Sequence, residues 1–367
     1  MPRVMYKRFI FFVLAVLSIA SLVACGSGEN NEIGKNVQDE TQSSLSSQTA
    51  SDASTKEATI EPELEGLLTF YTSQPDEDAA KLVEAFRKQY PKVNVTIFRS
   101  GTEEVVAKLR SEKLAGKVQA DVLLLADAVT FEGLKQDDML LAYASPEAEN
   151  IPVAFKDPEG MYTGTKVMAT VLMINTDLIQ EKPDSWFVLT ETPAKDQAMM
   201  PSPLYSGAAA YNLGVFTRQK DFGWEFYEAL KKNGMTVGKG NGGILQAVAN
   251  GDKKYGMIVD FMVARAKKDG SPVDLIYPKE GVPVITEPVA IVKTTQNQKA
   301  AKAFVDFILS ETGQTLQAEL GYTPIRPGVK APEGLEEVST LNVLEADINT
   351  LYQHRDEDKE RFTQIFQ

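Results

Sequence analysis

From Leu67 to Leu125, short apolar runs alternate with segments of helical period, and this alternation constrains the fold more than any other feature of the chain. Leu67-Leu68-Thr69-Phe70-Tyr71 reads as a strand. A helix follows from about Asp76, with Ala79, Leu82, Val83, Phe86 and Tyr90 at helical spacing until Pro91 stops it. Val93 to Phe98 alternates as a strand. Ser100-Gly101-Thr102-Glu103 then turns into a helix carrying Val105, Val106, Leu109 and Leu114, and Asp121 to Leu125 reads as a buried strand. Strands separated by helices predict an α/β body, a parallel sheet covered on both faces.

From about Lys166 the pattern changes. Val167 to Ile174 is long enough to cross into a second lobe, where helices are expected near 208–218, 222–233 and 243–250. Val289-Ala290-Ile291-Val292 reads as the return strand, and Ala300 to Leu309 as an amphipathic helix with Ala303, Phe304, Phe307 and Ile308 on one side. The expected organisation is lobe one over 66–166 plus 279–335, lobe two inserted over 167–278, and a C-terminal helical tail over 336–367. A cleft between two lobes is where a ligand is expected.

The N-terminus reads as an address and an anchor. Residues 1–24 carry Arg3, Lys7 and Arg8 ahead of Phe9 to Ala20, an apolar run of 12 residues. That is too short for a spanning helix, which needs about 20 residues, and is the pattern of a secretory signal peptide. Leu22-Val23-Ala24-Cys25-Gly26 resembles a bacterial lipoprotein box, and Cys25 is the only cysteine of the chain. The expectation is lipidation at Cys25, a membrane contact through that lipid, and an extracytoplasmic location. Residues 25–62 are rich in Ser, Gln, Asn, Glu, Thr and Asp, a composition that buries too little apolar surface to fold and predicts a flexible linker.

Charge and rare residues exclude several functions. A net charge of -13 argues against nucleic-acid binding, yet leaves room for a small anion held by backbone amides. One cysteine and one histidine, His354, leave no disulfide, no thiolate zinc site and no Ser-His pair in the body. With no nucleophile-elbow serine either, no enzymatic activity, metal or cofactor is expected.

Several stretches resemble bacterial ABC-importer binding proteins of the ferric-iron-binding type. They are Leu245 to Gly251, Tyr255 to Asp260, Ala303 to Ser310, Gly313-Gln314 and Gly321-Tyr322-Thr323-Pro324-Ile325-Arg326. The resemblance, from about residue 66 to 330, implies a two-lobed class II periplasmic-binding-protein fold, a ligand cleft between the lobes, a hinge-closing cycle, a monomer, and a permease and ATPase complex as partner. In metal-binding members the iron is held by a His, a Glu and paired tyrosines. By eye those positions fall here at Pro75, Ala126, Phe261 and Met262, none of which supplies an oxygen or nitrogen donor from its side chain. A slip of one residue brings in Gln74, Asp127 or Asp260.

The anion-holding half of that site is retained. The resemblance places Ser206-Gly207-Ala208 at the anion-holding helix start and Asn241 at a further anion contact, while Ser100-Gly101-Thr102 offers a second turn. The candidate ligand-binding residues are therefore Ser73, Gln74, Gly101, Thr102, Asp127, Ser206, Gly207, Ala208, Asn241, Asp260 and Glu287. The three acids are expected to read hydroxyls or an amine. Within the resemblance, the subgroup binding hexose phosphates, phosphoglycerates or 2-aminoethylphosphonate fits best, and the alternative is a ferric-iron-binding protein using Tyr205, Tyr211 or Tyr255. Gly238-Lys239-Gly240-Asn241-Gly242-Gly243 also satisfies a dinucleotide fingerprint, with Asp260 about 20 residues on. Two points argue against that use: the sequence before the motif reads as helical, and an exported protein meets little nicotinamide cofactor.

Overall fold

The computed structural model describes residues 64–367. The expected signal peptide, the expected lipidation site at Cys25 and the expected linker lie outside the described residues.

The first half runs β1 (Gly66–Thr72), α1 (Asp76–Gln89), β2 (Val93–Arg99), α2 (Thr102–Leu114), β3 (Val122–Leu124), α3 (Ala128–Gln136) and β4 (Leu140–Leu141). The long β5 (Thr163–Asn175) leads into β6 (Ala198–Pro201), α4 (Gly207–Arg218), α5 (Gly223–Lys232), β7 (Thr236–Gly238), α6 (Asn241–Ala249), β8 (Tyr255–Val259), α7 (Asp260–Lys268) and β9 (Val273–Ile276). The chain returns through β10 (Val284–Val292), α8 (Gln298–Leu309), α9 (Glu311–Glu319) and β11 (Thr323–Pro324), and ends in α10 (Ile348–Phe366).

The strands follow the order β2-β1-β3-β10-β5-β8-β6-β7. β1 is parallel to β2 and β3, but β10 runs antiparallel to both β3 and β5, so the sheet is mixed rather than parallel as expected. The reason is topological: β10 re-enters the first half from the second, against the direction of the βα units already there. Strand β5 is shared. Its first part, up to Ala169, pairs with β10, and Thr170 to Ile174 pairs with β8. All thirteen of its residues are buried, the apolar run from Val167 to Ile174 being interrupted only by Thr170.

Helix α1 buries Ala79, Leu82, Val83 and Phe86, and Phe304 of α8 meets both Phe86 and Phe70 edge-on at ring distances of 4.8 and 5.0 Å. In α2, Val105 and Leu109 are buried while Leu114, expected on the same face, is the last residue of the helix and 91% exposed. The tail is packed rather than peripheral. Helix α10 buries Leu351 and Phe362 against the second half, whose Tyr227 ring lies 6.1 Å from that of Phe362. His354 sits on the exposed side of α10, 3.3 Å from Glu357.

Candidate functional site

Five helices begin around one cavity of about 390 Å³, each presenting the residues of its first turn. They are α1 at Pro75 and Asp76, α2 at Gly101 and Thr102, α4 at Ser206 to Ala208, α6 at Gly240 to Gly243, and α7 at Val259 to Met262, Asp260 excepted. A helix start leaves backbone N–H groups without intrahelical acceptors and carries about half a positive charge. At α1, α2 and α6 no side chain caps those amides, and at α7 the Asp260 carboxylate accepts one, from Phe261 N at 2.8 Å. At α4 the Ser206 hydroxyl accepts one, from Ala209 N at 3.3 Å. The cavity wall is therefore a converging set of amide donors. Arg99 joins them, with its Nε donating to the Gln74 carbonyl at 2.7 Å, and so does Lys239, which pairs with Glu104 at 3.1 Å.

The two halves touch at the rim. Glu103 N donates to the Tyr205 carbonyl at 3.3 Å. Two glycines permit this approach. A Cβ on Gly101 would lie 2.5 Å from the Tyr205 carbonyl oxygen, and one on Gly207 would lie 2.3 Å from the Ala126 carbonyl oxygen.

Beneath the cavity lies a buried polar layer. Lys166, with no exposed surface, forms an ion pair with Glu287, and neither group has a further hydrogen-bond partner. Burial pushes the Lys166 amine below its ordinary range, and Glu287 opposes that shift. The Lys166 Nζ lies 4.6 Å from the centre of the Tyr322 ring, and the Tyr322 hydroxyl donates to Asp78 at 2.6 Å. Asp78 in turn takes both terminal nitrogens of Arg265 at 3.1 Å.

Of the eleven expected ligand-binding residues, nine line this cavity: Ser73, Gln74, Gly101, Thr102, Ser206, Gly207, Ala208, Asn241 and Glu287. Asp127 and Asp260 do not, which corrects their expected placement. Asp127 caps α3, accepting from Thr130 N at 2.8 Å, and pairs with Arg355 of α10 at 2.9 Å. Asp260 turns back onto its own helix. It accepts from Phe261 N at 2.8 Å and from the Tyr277 hydroxyl at 3.3 Å. Pro75, Ala126, Phe261 and Met262 also line the cavity, and so does Tyr205, whereas Tyr211 and Tyr255 do not. Among the described residues no three His, Cys, Asp or Glu side chains gather as a metal site.

Sequence reasoning missed Arg99, Lys239, Gly242, Gly243 and Tyr322. Arg99 ends a strand directly before the Ser100-Gly101-Thr102 turn, a position that was a usable signal. The helical stretch ahead of the glycine-rich motif is α5, and the short strand β7 lies between the two. The motif begins at Gly238, the last residue of β7, and opens α6, with Gly240, Gly242 and Gly243 on the cavity wall. The fingerprint's acidic residue, Asp260, is turned away from that wall.

Burial raises the Asp260 carboxyl to about 7, despite hydrogen bonds that favour its charge. The folded state therefore favours the protonated acid. Its contribution is fully present below the unfolded value near 4 and lost as pH rises through about 7. The displacement is worth on the order of 4 kcal/mol. Urea unfolding at pH 4.5 and 8 should show that loss in the wild type and a flatter profile in Asp260→Asn. Equal slopes in the two proteins would refute it.

Residues 81–341 match the family described as bacterial extracellular solute-binding protein. A probable ABC transporter periplasmic-binding protein, y4fP of Sinorhizobium fredii, is 26% identical over 277 residues, 72% of this chain and 76% of that protein. Among solved structures, the periplasmic binding protein AfuA from Actinobacillus pleuropneumoniae, with exogenous fructose-6-phosphate bound, superposes with a TM-score of 0.76 at 22% identity. That superposition covers 82% of this chain and 98% of AfuA. Iron-bound HitA from Pseudomonas aeruginosa gives 0.72 at 20% identity, covering 81% and 99%. The fold is the two-lobed class II periplasmic-binding-protein fold. The chain belongs to the bacterial extracellular solute-binding protein family.

Proposed function

We propose that this solute-binding protein is the substrate-binding component of an ABC import system and captures a small organic anion bearing a phosphate or phosphonate. The observation that carries the reading is the convergence of five helix starts, three without a side-chain acceptor on their amides, with Arg99 on one cavity. Each helix end favours an anion by about 0.3–1 kcal/mol, and each charge-assisted hydrogen bond adds about 1.5–3 kcal/mol. Several such donors together suit a phosphate, which offers acceptors in three directions. The volume lies within the range of small-molecule sites. The relative named as an ABC transporter periplasmic-binding protein and the neighbour holding fructose-6-phosphate both support the reading. Against ferric iron, Pro75, Ala126, Phe261 and Met262, the positions to which the resemblance assigns iron ligands, line the cavity without oxygen or nitrogen donors in their side chains.

Capture would proceed by hinge closure, the moving units being 66–166 plus 279–335 and 167–278, with β5 as the shared element. The closed form presents a new surface to the permease. We further assign an extracytoplasmic, lipid-anchored monomer, with Cys25 as the anchor. Cys25→Ser should move the protein from the membrane fraction to the medium or periplasm, and unchanged membrane association would remove the anchor.

Thermal unfolding of ligand-stripped protein tests the binding reading. The panel holds glucose 6-phosphate, 3-phosphoglycerate, 2-aminoethylphosphonate, inorganic phosphate and ferric citrate. A ligand at about 100 times its Kd stabilises by about 2.7 kcal/mol, a shift of several degrees. A shift with organic phosphates or the phosphonate supports the anion reading, and a shift with ferric citrate alone replaces it by iron. Ser206→Asp, which puts a carboxylate among the donors, should abolish the anion response, and an unaltered response would refute the cradle.

A further inference from the structure

We infer that Gln74 and Glu287 select an anion whose organic part carries hydroxyl groups, and select against one that carries an amine. This rests on the anion-binding reading and narrows it.

The Gln74 side chain is 1% exposed, lines the cavity, and has a hydrogen-bond partner at neither its Nε2 nor its Oε1. Its backbone is well held, with its N–H donating to the Thr72 hydroxyl at 3.1 Å and its carbonyl accepting from Arg99. A rigidly placed primary amide thus faces the site with both its donor and its acceptor unused. Buried polar groups are nearly always paired in native proteins, so the missing partner belongs to the ligand.

The chemistry of that partner follows from what each candidate group offers. Phosphate oxygens accept only, so they satisfy Nε2 and leave Oε1 bare. An ammonium donates only and leaves Nε2 bare. A hydroxyl does both, and two neighbouring hydroxyls satisfy both ends of the amide at once.

Glu287 makes the same choice by charge. It is 3% exposed, lines the cavity, and its Oε2 lacks a hydrogen-bond donor apart from the ion pair with fully buried Lys166. The pair is already neutral. A ligand ammonium beside it would be a second, uncompensated cation in a desolvated layer, whereas a hydroxyl donating to the carboxylate adds no charge. The other carboxylate of the wall, Asp76, is solvent-exposed and offers an amine only a weak, screened attraction.

Isothermal titration of the ligand-stripped wild type and Gln74→Met separates the possibilities. One set of probes bears hydroxyls: glycerol 3-phosphate, 3-phosphoglycerate and glucose 6-phosphate. The other lacks them: propyl phosphate, inorganic phosphate and 2-aminoethylphosphonate. The tightest hydroxylated probe should bind at least tenfold more tightly than any probe of the second set. Gln74→Met should weaken that probe at least tenfold more than it weakens inorganic phosphate. Its ligand-free unfolding midpoint should not fall, because the side chain has no partner to lose. Tightest binding of 2-aminoethylphosphonate overturns the inference and leaves the anion reading standing. So does equal binding of propyl phosphate and the hydroxylated probes, or an equal loss for all probes in the variant. Failure of every probe to bind overturns both.

Discussion

Gly207→Ala should bind the cognate anion about ten- to hundredfold more weakly than the wild type while unfolding at nearly the same temperature without ligand. The added methyl would sit 2.3 Å from the Ala126 carbonyl oxygen and 2.8 Å from the Thr102 hydroxyl. The nearer obstacle is backbone, which cannot rotate aside as a side-chain tip can. Overpacking of this kind costs about 1–3 kcal/mol, and each 1.4 kcal/mol is about tenfold in affinity. The cost falls on the state in which the two halves meet, so it appears in binding rather than in the stability of either half. Titration calorimetry beside differential scanning calorimetry separates these effects. Binding within threefold of the wild type would mean that the liganded halves do not meet at Gly207.

The second large effect is expected far along the sequence, at Arg355→Met. Arg355 reaches from α10 to Asp127 at 2.9 Å and to Glu103 at 2.8 Å, and Lys359 adds a contact to Glu103 at 3.0 Å. Burial alone would raise the Glu103 carboxyl, but Arg355 and Lys359 overcome it and hold the group below its ordinary range. Removing the guanidinium leaves Asp127, whose side chain has no exposed surface, with a helix-capping amide as its remaining partner. Breaking a buried ion pair from one side costs about 3–5 kcal/mol. Urea unfolding should register that loss, while His354→Ala on the exposed side of the same helix should stay within about 0.5 kcal/mol. A loss below about 1 kcal/mol for Arg355→Met would show that α10 does not hold the two halves through this residue.

The expected helices of the second lobe, 208–218, 222–233 and 243–250, lie within two residues of α4, α5 and α6. Helical period and turn residues are local properties, and the apolar spacing of Leu82, Phe86 and their neighbours survives any tertiary arrangement. The helix-start cradle was legible for the same reason. Ser206-Gly207-Ala208 and Gly101-Thr102 announce helix starts from their own chemistry, and helix starts are where anions bind. The mixed sheet was less legible, because strand direction depends on how the chain returns from the second half.

Charge placement was decided elsewhere. Asp127, Asp260 and Glu287 are equally plausible in one dimension as acids that read a ligand, yet only Glu287 faces the cavity. Asp127 is claimed by an arginine 228 positions away and Asp260 by the amide of its own helix. Local pattern in the chain thus specified the elements and the helix starts. The packed structure alone chose among the titratable side chains. A buried charge must find its partner in space, and that partner carries no signature at any fixed spacing along the sequence.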